Sequence, residues 1–289
     1  FEVIPLAVVI PLNQQDVSAL VKYAFEKKLP LIPRGAGTGT SGAALGNGIV
    51  IDLSKNFKNI IQVENGILHA ECGVTIKQIS DPSSPWNEER TLGGWLSSDA
   101  TGPFLLADRH PRHHVIALKV VMDDGSICWF ENNSHTDDTS KEKVSRAEII
   151  QDRFSFFLEE QKTELTTKVS SLPFPHGNYN LQEIIQSGNN DLLRVFLGAE
   201  GTLGIILEAK IKLREKQDNS EWGLYCFRTL QECLDASRIA LKHSPSLCDI
   251  LEHRFFSLAK AVDNLCAEWI HPESNAAVSY THLTLPTKA

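Results

Sequence analysis

A glycine-rich loop near the start of the chain restricts its possible folds more than any other segment. Residues 33–42 read Pro-Arg-Gly-Ala-Gly-Thr-Gly-Thr-Ser-Gly, preceded by the apolar pair Leu31-Ile32 and followed by a strand-like run at 49–53. Glycine adopts positive φ readily and has no Cβ, so several backbone N–H groups can converge on one anion. A pyrophosphate is the natural anion for such a loop.

Two well-known phosphate-binding loops fit this segment poorly. No Lys-Ser or Lys-Thr pair closes it, as a Walker loop requires, and no helical pattern follows it, as a Rossmann turn requires. An ordinary glycine-rich turn is the alternative, because glycine and serine are common in loops. The segment is therefore predicted to be a phosphate cradle between two strands.

Two further glycine motifs occur later in the chain. The second reads Thr91-Leu92-Gly93-Gly94-Trp95, and Asp99-Ala100-Thr101-Gly102 follows it shortly afterwards. Adjacent glycines suit a loop whose backbone passes against a flat ring system, and a plain glycine turn is the alternative. The third motif occupies residues 196–206 and reads Phe-Leu-Gly-Ala-Glu-Gly-Thr-Leu-Gly-Ile-Ile. Its three glycines also permit close approach of another group to the backbone.

Composition narrows the class of protein. A chain of 289 residues with 42% apolar residues can form one large or two modest cores. The net charge of −8 and the pI near 5.7 argue against a nucleic-acid surface. No apolar run is long enough to span a membrane, and no signal peptide opens the chain. We expect a cytoplasmic protein, with peripheral association at the inner membrane as an alternative.

The six cysteines indicate reduced thiols. They are scattered without any C-x-x-C pair, a spacing that suits neither a structural zinc nor an iron–sulfur cluster. The segment Arg109-His110-Pro111-Arg112-His113-His114 is the strongest candidate for a metal site. Adjacent His113 and His114 in a strand would point to opposite faces, so we predict no metal there. A basic patch at the surface or at a cofactor edge is the preferred interpretation.

Hydrophobic periodicity predicts alternating helices and strands. Asn13 is expected to cap a first helix, Asn65-Gly66 to turn a hairpin, and residues 123–125 to turn a second hairpin. Residues 147–165 have helical spacing, and residues 205–213 alternate as a strand whose lysines share one face. Beyond a polar run at 214–218, the expected order is a strand at 222–227, an N-capped helix at 229–241, a strand at 248–251 and a helix at 254–262.

These motifs together resemble the FAD-binding domain of FAD-linked oxidases of vanillyl-alcohol-oxidase type, also called a PCMH-type domain. The flavoprotein dehydrogenases for D-lactate, glycolate and similar 2-hydroxy acids are the nearer relatives. The resemblance implies an α+β fold with a two-subdomain FAD-binding fold, followed by the start of an α+β cap domain. We expect an FAD-binding domain at 1–214 that is truncated at its N-terminus and shortened near residue 80. A partial substrate or cap domain is expected at 219–277. Residues 278–289 are expected to be a non-native tail that fits no element of the cap domain.

The resemblance also assigns the residues that bind the cofactor. The glycine loop would wrap the FAD pyrophosphate, the second motif would contact the flavin, and the third would close the site near the adenine, with Glu200 ordering the loop. Relatives have Asn where this chain has Asp99, and an ionised Asp99 would make flavin reduction harder. The assigned residues are Pro33, Arg34, Gly35, Ala36, Gly37, Thr38, Gly39, Thr40, Ser41, Gly42, Asp81, Pro82, Thr91, Leu92, Gly93, Gly94, Ser97, Asp99, Ala100, Gly102, Glu200, Gly201, Gly204, Ile205 and Ile206.

The function that the resemblance implies is oxidation of a 2-hydroxy acid with noncovalent FAD. Hydride would pass to flavin N5 while a histidine takes the hydroxyl proton, and electrons would go to a quinone, another flavoprotein or an iron–sulfur partner. The segments that hold the substrate in relatives lie beyond the matching part, so no catalytic residue is assigned. A flavin-binding or partner-binding remnant without turnover is the alternative. A UDP-sugar reductase is a third hypothesis, against which the third motif argues.

Overall fold

The computed structural model describes residues 2–79, 89–100, 110–131, 145–170, 178–187, 191–213, 220–262, 271 and 273–283. The chain divides into two compact units, one formed by residues 1–100 and 111–213 and the other by residues 101–110 and 214–289. Helices and sheets occur in both units, which confirms the α+β prediction. In the described part of the chain, no helix is both long and apolar enough to cross a membrane.

The first unit begins with a small parallel sheet and one helix. Asn13 caps this helix, because its side chain accepts hydrogen bonds from the N–H groups of Gln15 and Asp16, as predicted. The helix buries Val17 and Val21, and the strands are ordered β1-β3-β2. The elements are β1 (Ala7–Val9), α1 (Gln14–Lys27), β2 (Leu31–Arg34) and β3 (Ile49–Asp52).

A five-stranded antiparallel sheet forms the rest of the first unit's framework. Its order is β4-β5-β8-β6-β7, so the late strand β8 lies between strands that come much earlier in the sequence. Asn65 and Gly66 have φ of 51° and 73° in the turn between the first two strands, which confirms the predicted hairpin. The strands are β4 (Ile60–Glu64), β5 (Ile67–Glu71), β6 (Val115–Val121), β7 (Ile127–Glu131) and β8 (Ile205–Lys212).

Several helices pack with both sheets around one apolar core. Strand β8 buries Leu207, Ala209 and Ile211 on its inner face, while its lysines point outward, as the alternation predicted. Helix α3 contributes Leu92 and Leu96, both fully buried. The helices of this unit are α2 (Ile76–Ile79), α3 (Leu92–Ser98), α4 (Arg146–Ser170), α5 (Leu181–Ser187) and α6 (Leu193–Phe196), with 3₁₀ turns at Pro111–His113 and Asn178–Asn180.

The second unit is a three-stranded antiparallel sheet with two helices. Thr229 and Glu232 form a capping box at the start of its first helix, which confirms the predicted N-cap. The predicted order of strand, helix, strand and helix is also confirmed. The elements are β9 (Ser220–Phe227), α7 (Leu230–Leu241), β10 (Leu247–Glu252), α8 (His253–Val262) and β11 (Ala276–Leu283).

Strand β11 lies at the centre of the second unit's sheet. It pairs with β9 along one side and with β10 along the other, and Val278 and Thr281 are buried. The expectation that residues 278–289 fit no element of the second domain is therefore wrong for residues 278–283. These residues form a strand because Val278 packs with Cys233 in the small apolar core of the second unit. That the tail is non-native stays a prediction, and residues 284–289 lie outside the described residues.

Candidate functional site

The first glycine motif begins with the last two residues of β2, Pro33 and Arg34, and continues into the connection to β3. Gly37 and Gly42 have φ of 73° and 82°, so both positions favour glycine. A Cβ built on Gly39 or Gly42 would meet no heavy atom within 4 Å. A Cβ on Gly35 would lie 2.0 Å from Oγ1 of Thr91. The loop therefore packs against the second motif at Gly35 and leaves open space at Gly39 and Gly42.

The second motif is helical, so the predicted loop at 91–94 is wrong. Thr91 caps α3, since its Oγ1 accepts a hydrogen bond from the Gly94 N–H at 3.3 Å. A Cβ on Gly93 would lie 2.8 Å from the Cβ of Cys72, and the Gly93 N–H donates to the Cys72 carbonyl oxygen. Gly93 thus allows α3 to pack closely on the segment that follows β5.

The third motif contacts both other motifs. Gly198 and Glu200 donate backbone hydrogen bonds to the carbonyl oxygens of Leu96 and Ser97, at 3.3 and 2.9 Å, at the end of α3. Gly201 has φ of 81°, and a Cβ built on it would lie 2.9 Å from Cγ of Pro33. The three motifs, which are far apart in sequence, therefore lie together within the first unit, with α3 between the other two.

Gly204 directly precedes β8, and Ile205 and Ile206 are the first residues of that strand. A Cβ on Gly204 would lie 2.6 Å from Cγ1 of Val120 and 2.9 Å from the carbonyl oxygen of Val121. Ile205 and Ile206 pair with residues of β6, and both side chains are buried. Close approach of β8 to β6 accounts for glycine at position 204. Coenzyme contact by the backbone of these residues stays a prediction.

Asp99 forms a buried ion pair with Arg112. Only 6% of the Asp99 side chain and 3% of the Arg112 side chain are exposed. The Asp99 carboxylate binds the Arg112 guanidinium and also accepts a hydrogen bond from the Arg112 backbone N–H at 3.3 Å. The predicted surface patch is therefore wrong for Arg112, whereas its place at a cofactor edge stays a prediction. The adjacent cation offsets the negative charge of Asp99, which weakens the argument that Asp99 disfavours flavin reduction.

The neighbouring histidines do not form a strand. His113 closes the 3₁₀ turn, and its Nδ1 lies 3.9 Å from Oε1 of Glu183. In the ranges that the structure describes, no cluster of three or more His, Cys, Asp or Glu residues could hold a metal ion. His110 and His114 also have interaction partners.

The remaining predicted site residues have different positions. Thr38, Thr40 and Ser41 are exposed on the first loop. Ser97 and Ala100 are half-buried at the end of α3. Asp81, Pro82 and Gly102 lie outside the described residues.

Asn180 supports the third motif, a role that the sequence did not predict. Its side-chain amide donates to the carbonyl oxygens of Leu197 at 2.6 Å and of Arg194 at 3.2 Å, and the residue is buried. Tyr179 and Asn180 both have positive φ, which is uncommon for residues other than glycine. The sequence Asn-Tyr-Asn before an apolar helix was the available signal.

Comparison with known proteins shows what this chain is similar to. Residues 5–131 match the family model described as FAD binding domain, a range that contains the first two motifs. This part of the chain is therefore similar to an FAD-binding domain, which confirms the predicted resemblance to FAD-linked oxidases and dehydrogenases and FAD as the predicted cofactor.

The chain is also similar to named dehydrogenases. The chain is 26% identical over 281 residues to a D-lactate dehydrogenase of Archaeoglobus fulgidus, covering 93% of this chain and 52% of the relative. It is 28% identical over 240 residues to a D-2-hydroxyglutarate dehydrogenase of Escherichia coli, covering 74% of this chain and 23% of the relative. The chain thus spans about half the length of the first relative and less of the second.

Solved structures support the fold. Alkyldihydroxyacetonephosphate synthase matches with a TM-score of 0.56 and 17% sequence identity, over 96% of this chain and 46% of that chain. A second crystal form of the same enzyme gives a TM-score of 0.55. These structural neighbours confirm the predicted FAD-binding fold of vanillyl-alcohol-oxidase type.

Proposed function

We propose that the junction of the three glycine motifs binds FAD noncovalently and that the protein oxidises a 2-hydroxy acid. The observation that carries the proposal is the contact of Gly35 with Thr91, of Glu200 with Ser97 and of Gly201 with Pro33. These contacts bring loops with glycine-dependent backbones to one place, around space that the described chain leaves empty at Gly39 and Gly42.

The first loop is proposed to hold the pyrophosphate. Gly37, Gly39 and Gly42 let its backbone approach an anion closely. The Arg34 guanidinium lies against Gly37, since a Cβ built on Gly37 would be 2.5 Å from its Nη2 atom. No described carboxylate forms an ion pair with Arg34, so its positive charge can balance a phosphate. The contacts of Gly35 with Thr91 and of Pro33 with Gly201 would hold this loop in place.

The reaction is proposed from the chemistry of the named relatives. FAD, when bound, supplies an acceptor at N5 for the hydride from the carbon that carries the substrate hydroxyl. The hydroxyl proton goes to a base, the 2-hydroxy acid becomes a 2-oxo acid, and two electrons pass to a quinone, a flavoprotein or an iron–sulfur partner. The described residues of this chain orient the coenzyme, and none of them is assigned as the base.

The substrate class rests on the dehydrogenase relatives. Their names give D-lactate and D-2-hydroxyglutarate, which share a 2-hydroxy carboxylate. We propose D-lactate, glycolate or D-2-hydroxyglutarate as the first compounds to test.

A visible spectrum of the purified protein tests the proposal. We expect flavin absorption, bleaching by one of these 2-hydroxy acids without oxygen, and no bleaching by L-lactate as the matched control. Acid precipitation should leave the pellet colourless, because the flavin is not covalently attached. A properly folded protein that takes up no FAD would contradict the whole proposal. Bound FAD that no 2-hydroxy acid reduces would contradict the reaction and favour the binding remnant.

A further inference from the structure

A series of ion pairs lies next to the contact between the second and third motifs. We call it the charge network and define it as Asp99, Arg112, Glu183, Arg194 and Asp191. Arg112 binds Asp99 through one nitrogen, and its other terminal nitrogen lies 3.4 Å from Glu183. Glu183 also binds Arg194, whose Nε lies 3.4 Å from Asp191. Three carboxylates thus share two guanidinium groups.

The network is more buried than an ordinary surface array. Exposed fractions are 3% for Arg112 and 1% for Asp191, and no member exceeds 31%. Backbone donors supplement the ion pairs, since Leu193 N–H bonds to Asp191 at 3.1 Å. Removing charges from water costs free energy that pairing repays only with good geometry, so buried ion pairs contribute little to stability and can instead fix one arrangement of the chain.

The arrangement fixed here joins the two later motifs. Asp99 ends α3 in the left-handed conformation, and Arg194 lies in α6, which leads into the third motif. A Cβ built on Gly198 would lie 3.4 Å from the Cβ of Asp99. Arg112 therefore connects two parts of the chain. It binds the end of α3 at Asp99, and it binds Glu183 of α5, which in turn binds Arg194 of α6. It does so from within the protein, since only 3% of its side chain is exposed.

We propose that Arg112 is a positioning residue that holds the third motif against the end of α3 and thereby sets the affinity for FAD without touching it. This inference rests on the proposed function for its ligand, but its geometric part concerns the protein alone. Arginine is suited to the role because its planar guanidinium can bind two carboxylates at once, whereas the lysine ammonium is a compact point charge.

The first test measures amide hydrogen exchange at Gly198 and Glu200, whose N–H groups bond to the end of α3. In Arg112→Met we expect exchange at both amides to be at least about tenfold faster, equivalent to about 1.4 kcal/mol. The matched control is Lys119→Met, which removes a partly buried ion pair with Glu208 on the outer face of the sheet. The control should leave these two amides unchanged. Equal exchange in both variants would overturn the proposal.

The second test is an FAD titration followed by flavin fluorescence. Arg112→Met should weaken FAD binding about tenfold or more, Arg112→Lys should recover part of the affinity, and Lys119→Met should bind like the parent protein. Unchanged affinity in a folded Arg112→Met variant would overturn the inference. If that variant does not fold, Arg112→Lys and Glu183→Gln provide the same comparison. A parent protein that binds no FAD would contradict the proposed function, while the exchange result would still decide the positioning role.

Discussion

Gly39 and Gly204 belong to motifs with the same predicted ligand, but their surroundings differ. A side chain at Gly39 would enter open space, whereas one at Gly204 would collide with β6. The sequence predicts the same role for both glycines, because both occur in glycine-rich segments. The packing of β8 against β6 shows that the fold itself requires glycine at position 204. At position 39, only a bound ligand would require glycine.

Gly39→Val should therefore separate binding from folding. We expect FAD affinity to fall by about tenfold or more, because a branched side chain would fill the cradle, while the melting temperature stays near that of the parent protein. Gly204→Val should lower the melting temperature, because overpacking a core costs about 1–3 kcal/mol. Fluorescence titration and thermal unfolding are the two measurements.

Asn47→Val is the control for the first of these variants, since Asn47 is an exposed residue of the same connection outside the motif. It should bind FAD normally. Normal FAD binding by Gly39→Val would remove the first loop from the proposed site.

Cys72 should be the least reactive of the described thiols. Burial raises the pKa of its thiol, with a smaller contribution from the Glu71 carboxylate. The reactive thiolate is therefore scarce at pH 8 and would increase only as the pH rises toward the raised pKa. We expect alkylation at pH 8 to label Cys226, which is partly exposed, before Cys72 in the native protein, and to label both in denaturant. Mass spectrometry of the labelled peptides measures the order, and prompt native labelling of Cys72 would contradict its burial.

Among the elements, α3 differs from its prediction, because the second motif is helical and was expected to be a loop. Two adjacent glycines disfavour a helix by about 1 kcal/mol each relative to alanine, and this local preference suggested a loop. The Thr91 cap and the burial of Leu92 and Leu96 outweigh it. The hairpins and α1 were predictable because their signals, Asn-Gly and an N-cap before a periodic run, act locally. The charge network was not, because its members lie on separate segments without any shared pattern.

Gly93→Ala tests the packing of α3. Helix propensity alone would make this variant more stable, but the added Cβ would lie 2.8 Å from the Cβ of Cys72. We expect a net loss of about 1–3 kcal/mol in the free energy of unfolding, measured by denaturant titration. Ser98→Ala, on the exposed side of the same helix, should change it by less than about 0.5 kcal/mol. A more stable Gly93→Ala variant would show that α3 can move away from Cys72.

At the scale of the whole molecule, the first unit carries the three motifs and the second contains β11 as its central strand. The contact of the motifs could be anticipated from the resemblance. The place of residues 278–283 could not, because antiparallel pairing with β9 and β10 depends on partners far away in sequence.

Two deletions test the role of β11. Removing residues 278–289 eliminates most of the strand and its pairing with β9 and β10, so the second unit should lose its resistance to proteolysis. Removing residues 284–289 leaves the strand complete and should preserve that resistance. Limited proteolysis with mass spectrometry of the fragments from residues 220–262 measures the difference. Equal protection after both deletions would contradict the central position of the strand.

The seven-residue helix α3 touches the first motif at its beginning and the third at its end. A coenzyme bound to both motifs would connect segments that are synthesised at different times. Closing the long loop between them costs conformational entropy, which the free energy of binding helps to offset. Cells depleted of riboflavin would then accumulate less of this protein, because newly made chains would be degraded before their distant segments are joined.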